Sequence, residues 1–392
     1  MKKRTFHLFL VCYLAYVSIY VARLNLSMAA PSLKELSVLT TAQIGLLGSL
    51  FSVIYACGRL LSGVIGDRTP PWKMISLGLI LCGISNLCIG LFPPFYLFLL
   101  LWGVNAFAQS MLWGAILRIL SAVYPDDVAK RRASQMGTAV ASGNLLAILL
   151  NSGLIDGFGA QWAFLVPGGI TLILSTLIVL FTRTVAAGVS ASAPQPYGLL
   201  LRHRTLRRML IPAVIHGVMK DNISLWMTVY VMDRFGIDLE QSSSFILLIP
   251  VLGFVGRMAA PTLYRFSRGQ EKPLLLGSFL LCAPCSAMLI LFPFSAWTAV
   301  VYLSLIYMAV SVINACFLAF FPIQFAKEGH VASVSGIMDF ATYLGTGLSA
   351  MVYGVLIDAL GYNAMYLSWV IISLIAIPIL LTKKNCFLRS KP

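Results

Sequence analysis

Stretches of eighteen or more apolar residues recur along the whole chain, each long enough to cross a hydrocarbon layer ~30 Å thick. Inside lipid a backbone N–H or C=O finds no water, so segments of this kind must satisfy their hydrogen bonds internally, as helices do. The 392 residues are 59% hydrophobic and only 10% charged, far too little charge for the surface of a soluble domain of this length. The chain reads as an all-α membrane protein.

Twelve spans are expected, near 6–33, 41–66, 72–92, 95–124, 133–157 and 161–182, then 208–232, 242–266, 273–293, 296–325, 331–357 and 361–382. Their connections are short and often marked by Pro or Gly, as at Pro70-Pro71, Pro93-Pro94, Gly157 to Gly159 and Pro293. The stretch 183–207 differs, being rich in small residues and Pro and then basic. It divides the chain into a six-helix bundle at 1–182, a cytoplasmic linker at 183–207 and a second six-helix bundle at 208–392. The two bundles are expected to be pseudo-symmetric.

Charge placement orients them. The net charge is 28 − 13 = +15. With both termini inside, almost every loop Lys and Arg falls on the cytoplasmic side, and only Lys34 and Arg234 fall outside. The basic balance therefore reflects topology in a cell (inner) membrane and implies no nucleic-acid partner. The segment from the N-terminal MKKR to Ser27-Met28-Ala29 has features of a signal peptide. Cleavage there would remove Arg23 and leave an odd number of spans, so it is read as the first span. The eight cysteines lie almost entirely within spans, and Cys282-x-x-Cys285 in an apolar helix reads as packing.

An internal repeat supports the two halves. Thr41 to Gly63 and Leu239 to Pro261 align without gaps, matching Gln43 with Gln241 and Gly58-Arg59 with Gly256-Arg257 at an offset of 256 − 58 = 198. Arg23 in span 1 corresponds to Lys220 in span 7 at 220 − 23 = 197. Each half thus carries a cation deep in its first span, where insertion costs about 2.5–3.5 kcal/mol. Lys220 could pair with Asp339 of span 11; Asp221 projects about 100° away around the helix and is expected to be a poor partner.

Polar stripes surround these cations: Tyr13, Tyr16, Tyr20, Arg23 and Ser27; Ser52, Tyr55, Arg59 and Ser62; Asn105, Gln109 and Trp113; Asn144 and Asn151. The second half adds His216, Lys220 and Ser224; Tyr307, Ser311 and Asn314; and Asp339, Tyr343 and Thr346. One stripe alone is usually interhelical hydrogen bonding. Several together, with cations outnumbering acids, predict a polar cavity that attracts anions. No Walker loop, metal-ligand cluster or nucleophile–base constellation is present, so neither an enzyme nor a bound cofactor or metal is expected.

The loop Gly63-Val64-Ile65-Gly66-Asp67-Arg68 resembles the G-x-x-x-D-R loop of the major facilitator superfamily, and twelve spans in two halves complete that likeness. Within the superfamily, Tyr20-x-x-Arg23-x-Asn25, Tyr55-x-x-x-Arg59, Gln109-x-Met111-x-Trp113, Lys220 and Tyr343-Leu344-Gly345 resemble the organophosphate:phosphate antiporters, the glycerol phosphate and hexose phosphate carriers. The resemblance implies that Arg23 and Lys220 clasp a substrate phosphate. Tyr20, Tyr55, Arg59, Gln109, Trp113, Asn144 and Tyr343 would line the site, with Asp67, Arg68, Asp221 and Asp339 in gating or coupling roles. Leu24 stands where the family often has a basic residue, and the span 5 stretch Ala139 to Asn144 keeps only Asn144 of that family's pattern.

The expected activity is therefore exchange of a small phosphorylated metabolite for inorganic phosphate by alternating access, by a monomer in contact with lipid. Proton-coupled carboxylate symport, using Asp221 or Asp339, is the main alternative. A non-transporting sensor is another, and a hydrophobic-drug exporter fits a cationic cavity poorly.

Overall fold

A computed structural model describes residues 2–182, 197–236, 248–292 and 295–381. Residues 183–196 of the expected linker, the start of the second repeat copy including Gln241, and the tail beyond 381 lie outside the described residues.

Among the described residues the chain is helical throughout, with no strand. Ten helices are long and apolar enough to cross a membrane: α1 (Thr5–Glu35), α2 (Ala42–Arg68), α3 (Pro71–Ile89), α4 (Phe95–Val123), α5 (Asp126–Phe158), α6 (Trp162–Thr182), α9 (Glu271–Leu291), α10 (Ala296–Ile323), α11 (Val331–Leu360) and α12 (Tyr362–Leu381). Two further long helices, α7 (Arg204–Phe235) and α8 (Leu248–Phe266), stand between them in the chain. These twelve are the expected all-α architecture.

Local chemistry sets the helix ends. Thr40 caps α2 with its hydroxyl on the Gln43 N–H (3.2 Å), and the Gln43 side chain returns a bond to the Thr40 N–H (2.8 Å). Pro71 opens α3, where a missing N–H costs nothing. Gly236 closes α7 in the left-handed conformation at φ 62°. Three helices are interrupted: α4 at Met111, α5 between Met136 and Ala139, and α10 by a π-turn at Cys316–Phe320.

The chain forms two compact units, Met1–Pro194 with Pro322–Ile337, and Gln195–Phe321 with Met338–Pro392. In the first, α3 packs on α4 and α6, α2 packs on α4, and α1 packs on α5 and α6. In the second, α9 packs on α10 and α12, α8 on α10, and α7 on α10 and α12. Lipid gives helices no hydrophobic reason to associate, so small residues that permit close approach carry the packing. A methyl group added at Gly58 would lie 2.5 Å from Ser110 Oγ of α4, and one added at Gly256 would collide with the Met308 carbonyl of α10. The first turns of α11 belong to the first unit for the same reason. Gly66 and Gly114 admit Ala332, and Gly336 rests on the Arg59 carbonyl. On α12, Leu367, Ile371, Leu374 and Ile375 form an outward apolar face.

Candidate functional site

In the first unit the candidate residues converge on Arg23. Its guanidinium carbon sits 4.6 Å from the centre of the Phe51 ring, 4.7 Å from Tyr55 and 5.7 Å from Tyr20. Phe51 and Tyr55 occupy successive turns of α2, their rings nearly parallel (11°) with centroids 6.0 Å apart. Both are buried, and Trp102 backs Phe51 at 5.4 Å. A guanidinium face held against aromatic faces is attracted by the ring quadrupoles, worth about 0.5–2 kcal/mol.

Arg59 lies one turn beyond Tyr55, 3% exposed, with its charge 6.0 Å from the Tyr55 ring. Its Nη1 donates to the Ser110 carbonyl at 3.2 Å. That carbonyl ends the first segment of α4, where the break at Met111 leaves helix acceptors to be satisfied from outside. Tyr20 and Trp113 join the group through Tyr16, whose ring centre is 5.4 Å from Tyr20 and 5.2 Å from Trp113. Gly143 of α5 packs directly on Tyr20, and neighbouring Asn144 is half-buried. No hydrogen bond ties Asn144 to the other candidates among the described residues.

Gln109 has a different setting. Its amide donates to Asn105 Oδ1 (3.1 Å), Asn86 donates to the same oxygen (3.2 Å), and Asn25 donates to Asn86 (2.7 Å). Asn105 in turn donates to the Ala22 carbonyl, one residue before Arg23. These four buried amides lock α1, α3 and α4 together behind the arginine. Asn25 and Asn86 are members of this network that sequence patterning did not single out for it. Phe51 was missed too, although its place one turn before Tyr55 was a readable signal.

The loop motif divides. Asp67 is buried, accepting from the Ala332 and Ser333 N–H groups at 2.9 Å each, and so it caps the start of α11 with a carboxylate where the helix dipole favours negative charge. Arg118 of α4 stands 3.9 Å from that carboxylate and donates to the Gly66 and Thr69 carbonyls. Arg68 is exposed. The cation beside Asp67 is thus Arg118.

In the second unit Lys220 Nζ is 3.7 Å from Asp221 Oδ1 and 5.2 Å from the centre of the Tyr343 ring. This corrects the expectation that Asp221 is a poor partner. Adjacent residues on a helix do not face one another, but the four-carbon stem of lysine lets its charge swing back. Asp221 is held for it by the Thr346 hydroxyl at 3.2 Å. Asp339 is buried, and His216 is fully buried one turn before Lys220, its ring edge-on to Phe317 at 5.9 Å.

Comparison with known proteins places the fold. The profile of the Major Facilitator Superfamily matches residues 12–350. A hexose phosphate transport protein of Chlamydia trachomatis is 31% identical over 44% of this chain, and the chain spans only 38% of that relative's length. A phosphoglycerate transporter of Salmonella typhimurium is 21% identical, covering 91% of this chain and 84% of the relative. Among solved structures, the transporter FucP in its outward conformation superposes with a TM-score of 0.69 at 16% identity, covering 95% of this chain and 96% of the other. With that profile matched over most of its length and the same fold throughout, the chain belongs to the major facilitator superfamily.

Proposed function

We propose that the protein carries a small organic anion, a phosphorylated metabolite, across the cell (inner) membrane in exchange for inorganic phosphate. The observation that supports this most is Arg23, a permanent cation in mid-span with its guanidinium carbon within 5.7 Å of the Tyr20, Phe51 and Tyr55 ring centres and a second cation, Arg59, one turn beyond Tyr55 along α2. Aromatic faces fix the guanidinium without neutralising it, which suits a site meant for a dianion. The relatives named for hexose phosphate and phosphoglycerate transport favour the same class.

In this reading Arg23 and Lys220 share the substrate, Tyr20, Tyr55, Arg59, Trp113, Asn144 and Tyr343 line its path, and Gln109 braces Arg23 through the amide network. Two halves, 1–182 and 208–392, rock about one site, with the 183–207 linker and both termini cytoplasmic and the protein acting as a monomer. Asp67, with Arg118 and the exposed Arg68, governs the gate, and Asp221 and Asp339 temper the positive charge. Closing a carrier over excess buried cations is costly without a counter-anion, so the loaded form reorients faster than the empty one.

The test is counterflow in proteoliposomes. Vesicles preloaded with inorganic phosphate should take up labelled phosphate or an organic phosphate rapidly, and empty vesicles should not. Uptake equally fast into empty vesicles, with no response to an imposed proton gradient, rules exchange out.

A further inference from the structure

The side of α1 that carries Tyr20 and Arg23 meets a second guanidinium near its start. Phe9, Tyr13, Tyr16, Tyr20 and Arg23 follow one another at steps of four and three residues, so they share one side of the helix. Leu10 and Leu14, which are exposed, lie about a quarter-turn round it. Beside Phe9 stands Arg132 of α5, half-buried, with its guanidinium carbon 4.9 Å from the centre of the Phe9 ring and 5.9 Å from that of Tyr124. Tyr124 closes α4 and donates its hydroxyl to the Thr5 carbonyl at 2.7 Å, so three helices of the first unit meet here.

A chain of hydrogen bonds fixes the arginine to α1. Arg132 Nη1 donates to Gln135 Oε1 at 3.0 Å, and the Gln135 carbonyl accepts from the Thr138 hydroxyl at 2.7 Å. With its one proton so committed, Thr138 accepts from the Tyr13 hydroxyl at 3.1 Å. Ser142 in turn donates to Tyr13 at 2.9 Å. The Tyr13 ring lies 6.1 Å from Phe9, which returns the circuit to Arg132. Among the described residues Arg132 makes no ion pair, and only one of its five N–H groups is bonded.

We propose that Arg132 is the centre of a second anion-binding site, a waiting station that takes a phosphate oxyanion at the start of α1, apart from Arg23. The 23 − 9 = 14 residues from Phe9 to Arg23 span about 21 Å of helix, too far for one small ligand to touch both arginines. The ligand class follows from the side chain, a permanent planar cation backed by rings and opposed by no carboxylate, as phosphate oxygens require. A lipid headgroup carries the same oxyanion. The place of Phe9 on the Tyr20 side of α1, rather than the side of Leu10 and Leu14, favours a free anion. This site goes beyond the transport reading and does not depend on it.

Calorimetric titration of the full-length protein with inorganic phosphate, in a maltoside detergent that brings no phosphate, tests this. The wild type should show two classes of site. Arg132→Gln should abolish one and leave the affinity of the other within about twofold. Arg132→Lys, which keeps the charge and loses the planar fork, should weaken the same class by about threefold, and it decides the matter if the glutamine variant does not fold. In nanodiscs containing phosphatidylglycerol the class that depends on Arg132 should persist; its disappearance there would give the site to a lipid headgroup and overturn the waiting station. Two classes kept in both Arg132 variants also overturn it. A single wild-type class that is lost in Arg23→Gln overturns it and leaves the transport reading standing, whereas a single class lost only in Arg132→Gln does the reverse. Wild-type protein that binds no phosphate overturns both.

Discussion

Arg23 and Lys220 occupy corresponding places in the two units, yet they are held by opposite means. Around Arg23 the structure gathers aromatic rings, with Phe51 and Tyr55 within 4.7 Å of the guanidinium carbon. Around Lys220 it puts the Tyr343 ring and a carboxylate, Asp221, at 3.7 Å. A ring orients a cation and leaves its charge in place; a carboxylate opposes it. The difference teaches that two-fold repetition of a fold does not entail two-fold repetition of chemistry. The first unit holds its cation among rings, and the second sets it against a carboxylate.

Exchanging the two cations is the strongest way to break this comparison. Arg23→Lys is expected to lower kcat/KM for exchange by about 30- to 100-fold, since the planar fork and its stacking are lost together. Lys220→Arg should cost no more than about threefold, because a swinging charge there is replaced by a larger one. Initial rates of phosphate counterflow in proteoliposomes measure both. Equal losses at the two positions would show that the aromatic setting of Arg23 is immaterial.

Packing offers the next contrast. A methyl group at Gly143 would lie 2.5 Å from Tyr20 Cβ and 2.9 Å from the Val17 carbonyl, whereas one at Gly217 would drive into the Thr342 carbonyl and its neighbouring backbone. The overlap is deeper at Gly217, so Gly217→Ala should destabilise by about 1–3 kcal/mol and Gly143→Ala by less. Thermal unfolding of the purified variants in detergent ranks them. The reverse order would mean that α7 and α11 separate more readily than their contacts imply.

A smaller effect is expected at Phe51. Phe51→Leu keeps the apolar volume and removes the ring under Arg23, so phosphate binding should weaken by about three- to tenfold, while Phe51→Tyr should restore it. In an Arg23→Gln background the leucine substitution should change affinity little, because its partner is gone. A full loss in that background would assign Phe51 to packing with Trp102 instead.

The fold was largely legible because hydropathy alone dictates spans, and because Gly58-Arg59 and Gly256-Arg257 preserve the register of the repeat. Among the described residues ten helices stand out by composition, and α7 carries Lys220 and Asp221 in mid-span. The cluster of Arg23, Tyr20 and Tyr55 was legible too, since helical spacing puts each stripe on one face. What sequence could not supply was contact between distant helices. Gln109 is bonded to Asn105 on its own helix, and nothing local points to Asn86 on α3 as a shared neighbour. The adjacency of Asp67 and Arg68 likewise hides a pairing across 51 residues, with Arg118. Lys220 and Asp221 fail in the opposite direction, because helix geometry separates them and side-chain length reunites them.

That last pair supplies the smallest and sharpest test. Asp221 is 45% exposed at its side chain and Lys220 22%, so solvent screens their interaction and its removal should be felt modestly. Asp221→Asn keeps the shape and an acceptor for Thr346, and it deletes only the charge that opposes Lys220. With that opposition gone the second unit presents a fuller positive charge, so inorganic phosphate should bind about two- to fourfold more tightly at low ionic strength. The gain should shrink as salt rises, which a steric change would not do. Tighter binding also favours the loaded carrier over the empty one, so uptake into vesicles without internal anion should fall relative to exchange. Calorimetric titration at two salt concentrations, together with the ratio of net uptake to counterflow, reads both consequences. Weaker binding in the asparagine variant would place Asp221 on the side of the substrate, holding Lys220 in position for the anion, and the contrast between a cation held among rings and one opposed by a carboxylate would have to be withdrawn.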